Sequence, residues 1–339
     1  MARPFLSVVV PIYNEEENVD QLVERLTKVL ARYDPPGSTD KVADESAPTG
    51  WEIIFAFDPS TDRTEELLRA HHERDPRLKI IKFSRKIGQP MATMAGLHRA
   101  SGDACVVMDA DLQDPPELIP DLVAKWQEGC DVVLTERRSR RGENPVRKLI
   151  AWLGYYVINR ITSVGIRRNV GDFRLMSRRV VDALKQFPER NPYLRGLVAL
   201  VGYQQTCLAY DRDPRTAGRT KYRPLTGDLR IGMNGLVCFS SFLLSLSSIM
   251  GLIIAGACFL FAVLQFVLKE LGFYFASGVP TLTILVLFLG GVQLVAIGIL
   301  GEYVGRIYDE VKGRPAYLVD EEIGFGERRN SEFRIQNSE

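Results

Sequence analysis

An α/β domain with a mainly parallel sheet, followed by a two-helix transmembrane hairpin and interfacial helices, is the fold class this 339-residue sequence predicts. Three observations carry that prediction. From Leu6 to Thr135, short apolar runs alternate with segments of helical periodicity, the pattern of a parallel sheet covered on both faces. Polar or acidic loops follow several of these runs, at the carboxyl edge where such sheets bind ligands. Finally, Ile231–Leu268 and Leu271–Gly301 contain no charged residue, and each exceeds the roughly 20 residues that span a bilayer.

Leu6 to Val10 reads as the first strand, ended by Pro11. Tyr13-Asn14-Glu15-Glu16-Glu17 then opens a helix whose Val19, Leu22, Val23, Leu26, Val29 and Leu30 fall on one face. Asp34 to Gly50, rich in Pro, Gly, Ser, Asp and Thr and without periodicity, reads as a surface insertion. Trp51 to Phe57 is the second strand, and Asp58-Pro59-Ser60-Thr61-Asp62 turns into a helix bearing Leu67 and Leu68. Leu78 to Phe83 is the third strand; Arg85-Lys86-Ile87-Gly88-Gln89 and a helix from about Pro90 to Ala100 follow. Ala104 to Met108 is a central strand that delivers Asp109-Ala110-Asp111-Leu112-Gln113-Asp114 and stops at Pro115-Pro116. A helix over Glu117–Gln127 and a strand over Asp131–Thr135 complete the alternation.

The chemistry is expected at Asp109 and Asp111. An isolated Asp-x-Asp is usually an ordinary polar turn, but here it emerges at a sheet's carboxyl edge. Alternate carboxylates in that place can address one hard cation, and Mg²⁺ or Mn²⁺ prefers a few carboxylates plus the oxygens of a substrate diphosphate to an all-protein cage.

Lys plus Arg (43) nearly balances Asp plus Glu (42), which argues against a dedicated nucleic-acid binder. The charge is unevenly spread. Arg137, Arg138, Arg140, Arg141, Arg147 and Lys148 make a basic run leading into an amphipathic, aromatic segment (143–163, with Trp152, Tyr155 and Tyr156) of the kind that lies on a membrane surface. Gly171-Asp172-Phe173-Arg174 reads as a polar turn in a packed region, and Arg215 to Tyr222 as a Gly-bearing basic loop. Two spans over about 240–266 and 279–301 form a hairpin, and the cationic flanks Arg212–Arg230 and Arg306–Arg314 place both chain ends in the cytoplasm. Met1-Ala2-Arg3-Pro4 before the first strand is too short for a signal peptide. The expected organisation is a cytosolic domain over 1–230, the spans within 231–303, an interfacial helix within 304–318 and a disordered tail over 319–339. Gly251 with Ala255 and Gly301 with Gly305 supply two small-residue faces; packing within the hairpin accounts for one, leaving the other for a homo-oligomer. The five cysteines show no paired spacing and are expected to be reduced; His71, His72 and His98 lack ligand-like spacing.

Val8-Val9-Val10-Pro11-Ile12-Tyr13-Asn14-Glu15-Glu16, Asp58-Pro59-Ser60-Thr61-Asp62, Asp109-Ala110-Asp111-Leu112-Gln113-Asp114-Pro115-Pro116 and the Gly301–Pro315 segment, taken together, resemble the polyprenyl-phosphate glycosyltransferases. These are membrane-anchored, inverting enzymes of the Rossmann-like GT-A fold, akin to dolichyl-phosphate mannose synthase and, more closely, to bacterial undecaprenyl-phosphate glucosyltransferases. The resemblance covers roughly residues 5–318. It implies that Pro11, Tyr13 and Glu15 hold the nucleotide base and ribose, and that Asp58 contacts the nucleoside. It further implies that Asp109, Ala110, Asp111 and Gln113 form the metal and diphosphate site, with Asp109, Asp111 and Gln113 on the cation. Arg215 and Lys221 would close over the donor phosphates, and Arg137 and Arg147 would bind the lipid phosphate. One departure is plain: where the family shows Val-Asp-Asp-Gly-Ser, this chain has Ala56-Phe57-Asp58-Pro59-Ser60.

The reaction this implies moves a sugar, UDP-glucose being the first choice of donor, to a polyprenyl phosphate at the cytoplasmic face of the inner (plasma) membrane. A phosphate monoester is largely dianionic near neutral pH, its second pKa being about 6, so the nucleophile needs little help from a base. Asp172 is read either as orienting the acceptor or assisting as a base, or as a structural turn residue. Other donors, GDP-mannose or UDP-aminoarabinose, remain open. A processive polysaccharide synthase of the same fold is the nearest rival, though no Gln-x-x-Arg-Trp motif is present. A non-catalytic membrane scaffold is the other, with Phe57 as its one support.

Overall fold

The computed structural model describes residues 4–34, 50–138, 170–187, 189, 192–211, 242–271 and 279–326. The chain divides into two compact units. The first comprises Met1–Tyr155, Gly165–Pro224 and Pro315–Glu339, the second Tyr156–Val164 and Leu225–Arg314.

The first unit is built on one eight-stranded sheet. In chain order the strands are β1 (Leu6–Ile12), β2 (Trp51–Phe57), β3 (Leu78–Phe83), β4 (Ala104–Val107), β5 (Val132–Arg137), β6 (Val170–Ser177), β7 (Gln205–Tyr210) and β8 (Val319–Ile323). In space they run β7-β5-β6-β4-β1-β2-β3-β8. The β1–β2, β1–β4, β2–β3 and β5–β7 pairings are parallel; β4–β6, β5–β6 and β3–β8 are antiparallel. The helices α1 (Val19–Leu30), α2 (Thr64–Arg74), α3 (Gln89–Arg99) and α4 (Ile119–Gln127) join the parallel strands, and α5 (Arg178–Leu184) and α6 (Leu194–Val201) follow β6.

Every residue of β1 and β2 is buried, as continuous apolar runs require when a sheet is covered on both faces. The apolar face of α1 lies buried with the Leu6, Val8 and Val10 row of β1. Helix α3 comes close to β1 because position 96 is glycine: a Cβ there would run into the Val9 side chain.

Four expectations are corrected. Strand β1 does not end at Pro11 but continues to Ile12. The carbonyl of Val9 faces β4, where it accepts from Met108 N at 3.1 Å, so the nitrogen of Pro11 also faces that side, beyond the last β4 residue, Val107. Lacking an N–H, Pro11 ends the pairing with β4 there, while the pairing with β2 runs on to Ile12.

Gly171–Arg174 is not a turn but the middle of β6, despite the poor strand propensity of Gly and Asp. Arg174 is fully buried, and its guanidinium donates to the Gly171 carbonyl (3.0 Å) and to Asp172 Oδ1 (3.0 Å). Those acceptors make a buried cation tolerable mid-strand.

The expected disordered tail instead supplies β8 over Val319–Ile323, paired with β3. Its Asp320, Glu321 and Glu322 look unfit for a strand in isolation, but they meet cations. Glu322 takes two bonds from Arg99 at 2.7 Å, Glu321 pairs with Arg69, and Asp320 lies 3.9 Å from Lys82. Tyr317 packs edge-on against Phe83, its centroid 5.6 Å away, and its hydroxyl lies 3.2 Å from His98 Nδ1. Burial, with Lys185 and Arg99 nearby, lowers the His98 ring to about 4, so it is neutral at physiological pH.

The second unit contains two long helices, α7 (Phe242–Glu270) and α8 (Val279–Val311). The windows Leu244–Phe261 and Phe288–Val311 are long and apolar enough to cross a membrane, and neither is buried within the structure. Leu252, Phe259 and Leu294 are 76%, 69% and 71% exposed, the kind of apolar surface that marks an interaction site. The separate interfacial helix expected from position 304 is the uninterrupted continuation of α8 to Val311. Gly301 and Gly305 do not break it, and it stops before Gly313, whose φ of +58° is the left-handed cap position, with Pro315 just beyond. The 143–163 segment, the insertion after Asp34, and Arg147, Arg215 and Lys221 lie outside the described residues.

Candidate active site

The carboxyl edge of the sheet is a cluster of acids with arginines behind them. Strand β4 ends at Val107, and the register that pairs Val107 with Arg174 across the antiparallel boundary carries Asp109 opposite Asp172. Beyond Asp109, Leu112 adopts φ +56° with its side chain fully buried. A leucine takes that conformation only when packing over-determines it. Here the buried Leu112 is a plug between the partly exposed Asp111 and Gln113, and Gln113 N closes the turn on Asp111 Oδ1 at 3.3 Å.

Four carboxylates share this corner. Burial pushes the Asp109 carboxyl up to about 8, and the charges of Asp172, Asp114 and Asp111 add to the rise against the opposing pull of Arg137. Asp172 behaves oppositely. Burial would raise it, but Arg195 grips it with two bonds, Nε to Oδ1 at 3.0 Å and Nη2 to Oδ2 at 3.1 Å. With Arg174 and Arg137 also near, the carboxyl is held well below the ordinary range, so it is an anion at any physiological pH. Asp114 is fully buried and accepts from the Tyr210 hydroxyl. Arg137 lies over Gly171, with Nη2 3.9 Å from Asp114 and Nε donating to the Tyr210 hydroxyl at 3.4 Å.

The second part of the edge joins the loops after β1 and β2. Asn14, at φ +50°, donates its backbone N–H to Ser60 Oγ (2.8 Å) and its side-chain amide to Thr61 Oγ1 (3.1 Å), while its Oδ1 accepts from Thr61 N (2.9 Å). Glu15 N donates to Thr64 Oγ1 at 2.9 Å. Lys86 Nζ sits 3.4 Å from the centroid of the Tyr13 ring. Pro11 is buried within β1. Asp58 is 3% exposed, and both its oxygens accept backbone N–H groups, Oδ1 from Ile87 and Oδ2 from Gly88, each at 2.9 Å. In this arrangement Asp58 holds the loop after β3. That loop leads to Gln89, whose amide donates to Asp109 Oδ1 at 2.5 Å.

The structure therefore gathers Asp109, Asp111, Asp172 and Arg137 at one corner, with Ala110 and Gln113 in the same turn. Tyr13, Glu15 and Asp58 lie along the neighbouring edge, linked to Asp109 through Gln89. Sequence reasoning missed Gln89, Asp114, Arg174, Arg195 and Tyr210. Gln89 had a signal, since it follows a glycine in a loop assigned to the carboxyl edge. Arg195 had none, because only the fold brings α6 to β6.

The residues present fit a hard divalent cation. Burial and the charges of Asp172, Asp114 and Asp111 all press on the Asp109 carboxyl, a setting that favours positive charge, and the donor set of Asp109, Asp111 and the Gln113 amide is all oxygen. Among the described residues no group of three or more His, Cys, Asp or Glu is placed to cage a metal by itself. An ion of the Mg²⁺ type held by two carboxylates and an amide would keep positions for substrate phosphates.

A mainly parallel sheet whose carboxyl edge presents an Asp-x-Asp pair beside guanidinium groups is chemically suited to a cation-bound anionic substrate. The chain belongs to glycosyl transferase family 2, whose profile matches residues 7–185, and it is a glycosyltransferase of GT-A fold. It is 41% identical over 323 residues (95% of each chain) to the uncharacterized glycosyltransferase YkcC of Bacillus subtilis. Over 317 residues it is 42% identical to the uncharacterized glycosyltransferase sll0501 of Synechocystis sp., covering 93% of this chain and 95% of that one. It is also 39% identical over 314 residues, 93% of this chain and 97% of the relative, to the bactoprenol glucosyl transferase of Shigella phage SfII.

Proposed function

We propose that this glycosyltransferase moves glucose, with inversion, from UDP-glucose to the phosphate of an undecaprenyl-type polyprenol at the cytoplasmic face of the plasma membrane. The observation that carries the reading is the joint placement of Asp109, Asp111, Asp172 and Arg137 at one sheet corner. It occurs in a chain similar over nearly its whole length to a protein named for glucosyl transfer to bactoprenol.

Two anions must meet in this reaction, a donor diphosphate and an acceptor phosphate. Arg137, anchored at its inner side by Asp114 and Tyr210, presents a fixed positive charge for the acceptor, joined by Arg147. Asp172, kept ionised by Arg195 and Arg174, orients that charge pattern and is a poor proton acceptor, which agrees with an acceptor that arrives already deprotonated. Tyr13 and Glu15 would hold the nucleoside, with Pro11 behind them in β1, and Arg215 and Lys221 would serve the donor phosphates. Asp109, Asp111 and Gln113 would hold Mg²⁺ or Mn²⁺, which when bound neutralises the departing diphosphate. Helices α7 and α8 bring the enzyme to its lipid, because a polyprenyl chain leaves the bilayer only at about 0.8 kcal/mol per CH₂. Both termini are cytoplasmic in this reading, and the spare small-residue face serves self-association.

The test uses the purified full chain with polyprenyl phosphate, Mg²⁺ or Mn²⁺, and separately labelled UDP-glucose, UDP-aminoarabinose and GDP-mannose. A single glucose on lipid is expected. A polymer, another sugar or no product overturns the assignment. Asp111→Ala should abolish transfer, and full activity in that variant would refute the metal role.

A further inference from the structure

We infer that Gln89 is a positioning residue for Asp109, and that Asp58 acts through the intervening loop to aim Gln89. The inference rests on the cation site proposed above and deepens it.

Asp109 is surrounded by charges of its own sign on Asp172, Asp114 and Asp111. A carboxylate in that field rotates away from its neighbours unless something holds it. The Gln89 amide does so, donating Nε2–H to Oδ1 at 2.5 Å. An uncharged donor fixes the carboxylate without adding a cation that would compete with a metal. A lysine at this point would fill the site's need for charge.

Gln89 is itself fixed from three directions. It is the first residue of α3, and Pro90 together with the Thr93 Oγ1 bond to the Gln89 carbonyl (2.9 Å) sets the first turn. Gly88 before it has φ +88° and ψ 157°, a conformation open to glycine and closed to other residues. The amides of Ile87 and Gly88 are clamped by the two oxygens of Asp58, whose own N–H is tied to the Ile12 carbonyl at 3.1 Å. A chain of contacts thus runs from the end of β1, through Asp58 at the end of β2 and the loop after β3, to Asp109 at the end of β4. It gives Asp58 a purpose consistent with the Phe57-Asp58-Pro59 departure noted in the sequence, since the clamp needs one acid and no neighbouring glycine.

The experiment measures Mn²⁺ binding to the full chain in detergent by the loss of the free-ion EPR signal, for wild type, Gln89→Ala, Asp58→Asn, the double variant and Asp111→Ala. Removing a side chain that orients a metal ligand weakens the metal by about 10–100-fold, so Gln89→Ala should bind Mn²⁺ at least tenfold more weakly. Asp58→Asn should weaken it in the same sense, and the double variant should equal Gln89→Ala alone, because both act through one contact. Thermal unfolding of each variant distinguishes this from general loosening, which lowers the midpoint without a metal effect. Wild-type Mn²⁺ binding in Gln89→Ala, or effects of the two substitutions that multiply in the double variant, overturns the inference. If Asp111→Ala loses Mn²⁺ while Gln89→Ala does not, the positioning role alone is wrong. If Asp111→Ala also binds as wild type, the cation site and the function built on it fall together.

Discussion

Opposite the catalytic edge, the amino ends of β1 and β2 enclose a carboxylate whose removal has a calculable effect. Glu52 is 1% exposed; its Oε1 accepts from Ser7 Oγ (2.6 Å), Ser101 N (2.8 Å) and Ser101 Oγ (2.8 Å), and its Oε2 from Lys79 Nζ (2.8 Å). Breaking a buried ion pair by deleting one partner costs roughly 3–5 kcal/mol, because it strands the other charge. In Lys79→Met the serine donors remain, and Lys79 is 24% exposed, so water reaches the vacated end. The expected loss is therefore about 2–3 kcal/mol. Glu52→Gln in the same background removes the stranded charge, and the double variant should recover about 1–2 kcal/mol relative to the sum of the singles.

Burial would raise the Glu52 carboxyl, but Lys79, Ser7 and Ser101 bring it below its ordinary 4.5. A depressed folded-state value means the stabilisation is complete above 4.5 and fades as pH falls through the lower, folded-state value. Wild type should lose this contribution in acid, and Glu52→Gln should not. Denaturant unfolding at 25 °C, followed by tryptophan fluorescence, is the assay; Trp51 is buried beside Glu52 with the Arg77 guanidinium 3.7 Å over its ring. A Lys79→Met protein within ~0.5 kcal/mol of wild type, the range of ordinary surface substitutions, would refute the argument.

Two further outcomes follow from the site and the sheet edge. In Gly171→Ala the new Cβ would lie 2.9 Å from Arg137 Nη2, displacing a guanidinium from its shelf. Steady-state kinetics should show the KM for the lipid phosphate rising about tenfold with the donor KM unchanged, and a shift confined to the donor would contradict the acceptor role. Glu322→Ala removes two bonds to Arg99 from an edge strand, so hydrogen exchange over β8 should quicken by about tenfold, corresponding to ~1.5 kcal/mol of local stability. Unchanged exchange there would show that the strand is held by its backbone pairing alone.

Local sequence was sufficient wherever one physical signal dominated. The apolar runs of β1 to β4 could satisfy their burial only inside a covered sheet, and the uncharged runs gave two helices, α7 and α8, long and apolar enough to cross a membrane. The apolar run Ala104–Met108 ending in two acids was enough to place Asp109 and Asp111 at the carboxyl edge. Strands β6 and β8 were not legible, because Gly171, Asp172, Glu321 and Glu322 oppose strand formation until partners from distant segments meet them. Tertiary structure alone decided the electrostatics of the site. Asp109 and Asp172 carry the same side chain, yet one is pushed up by burial and neighbouring acids and the other, though also buried, is held down by Arg195 and Arg174. No local pattern encodes that difference, since a carboxylate's charge state depends on what the fold packs around it.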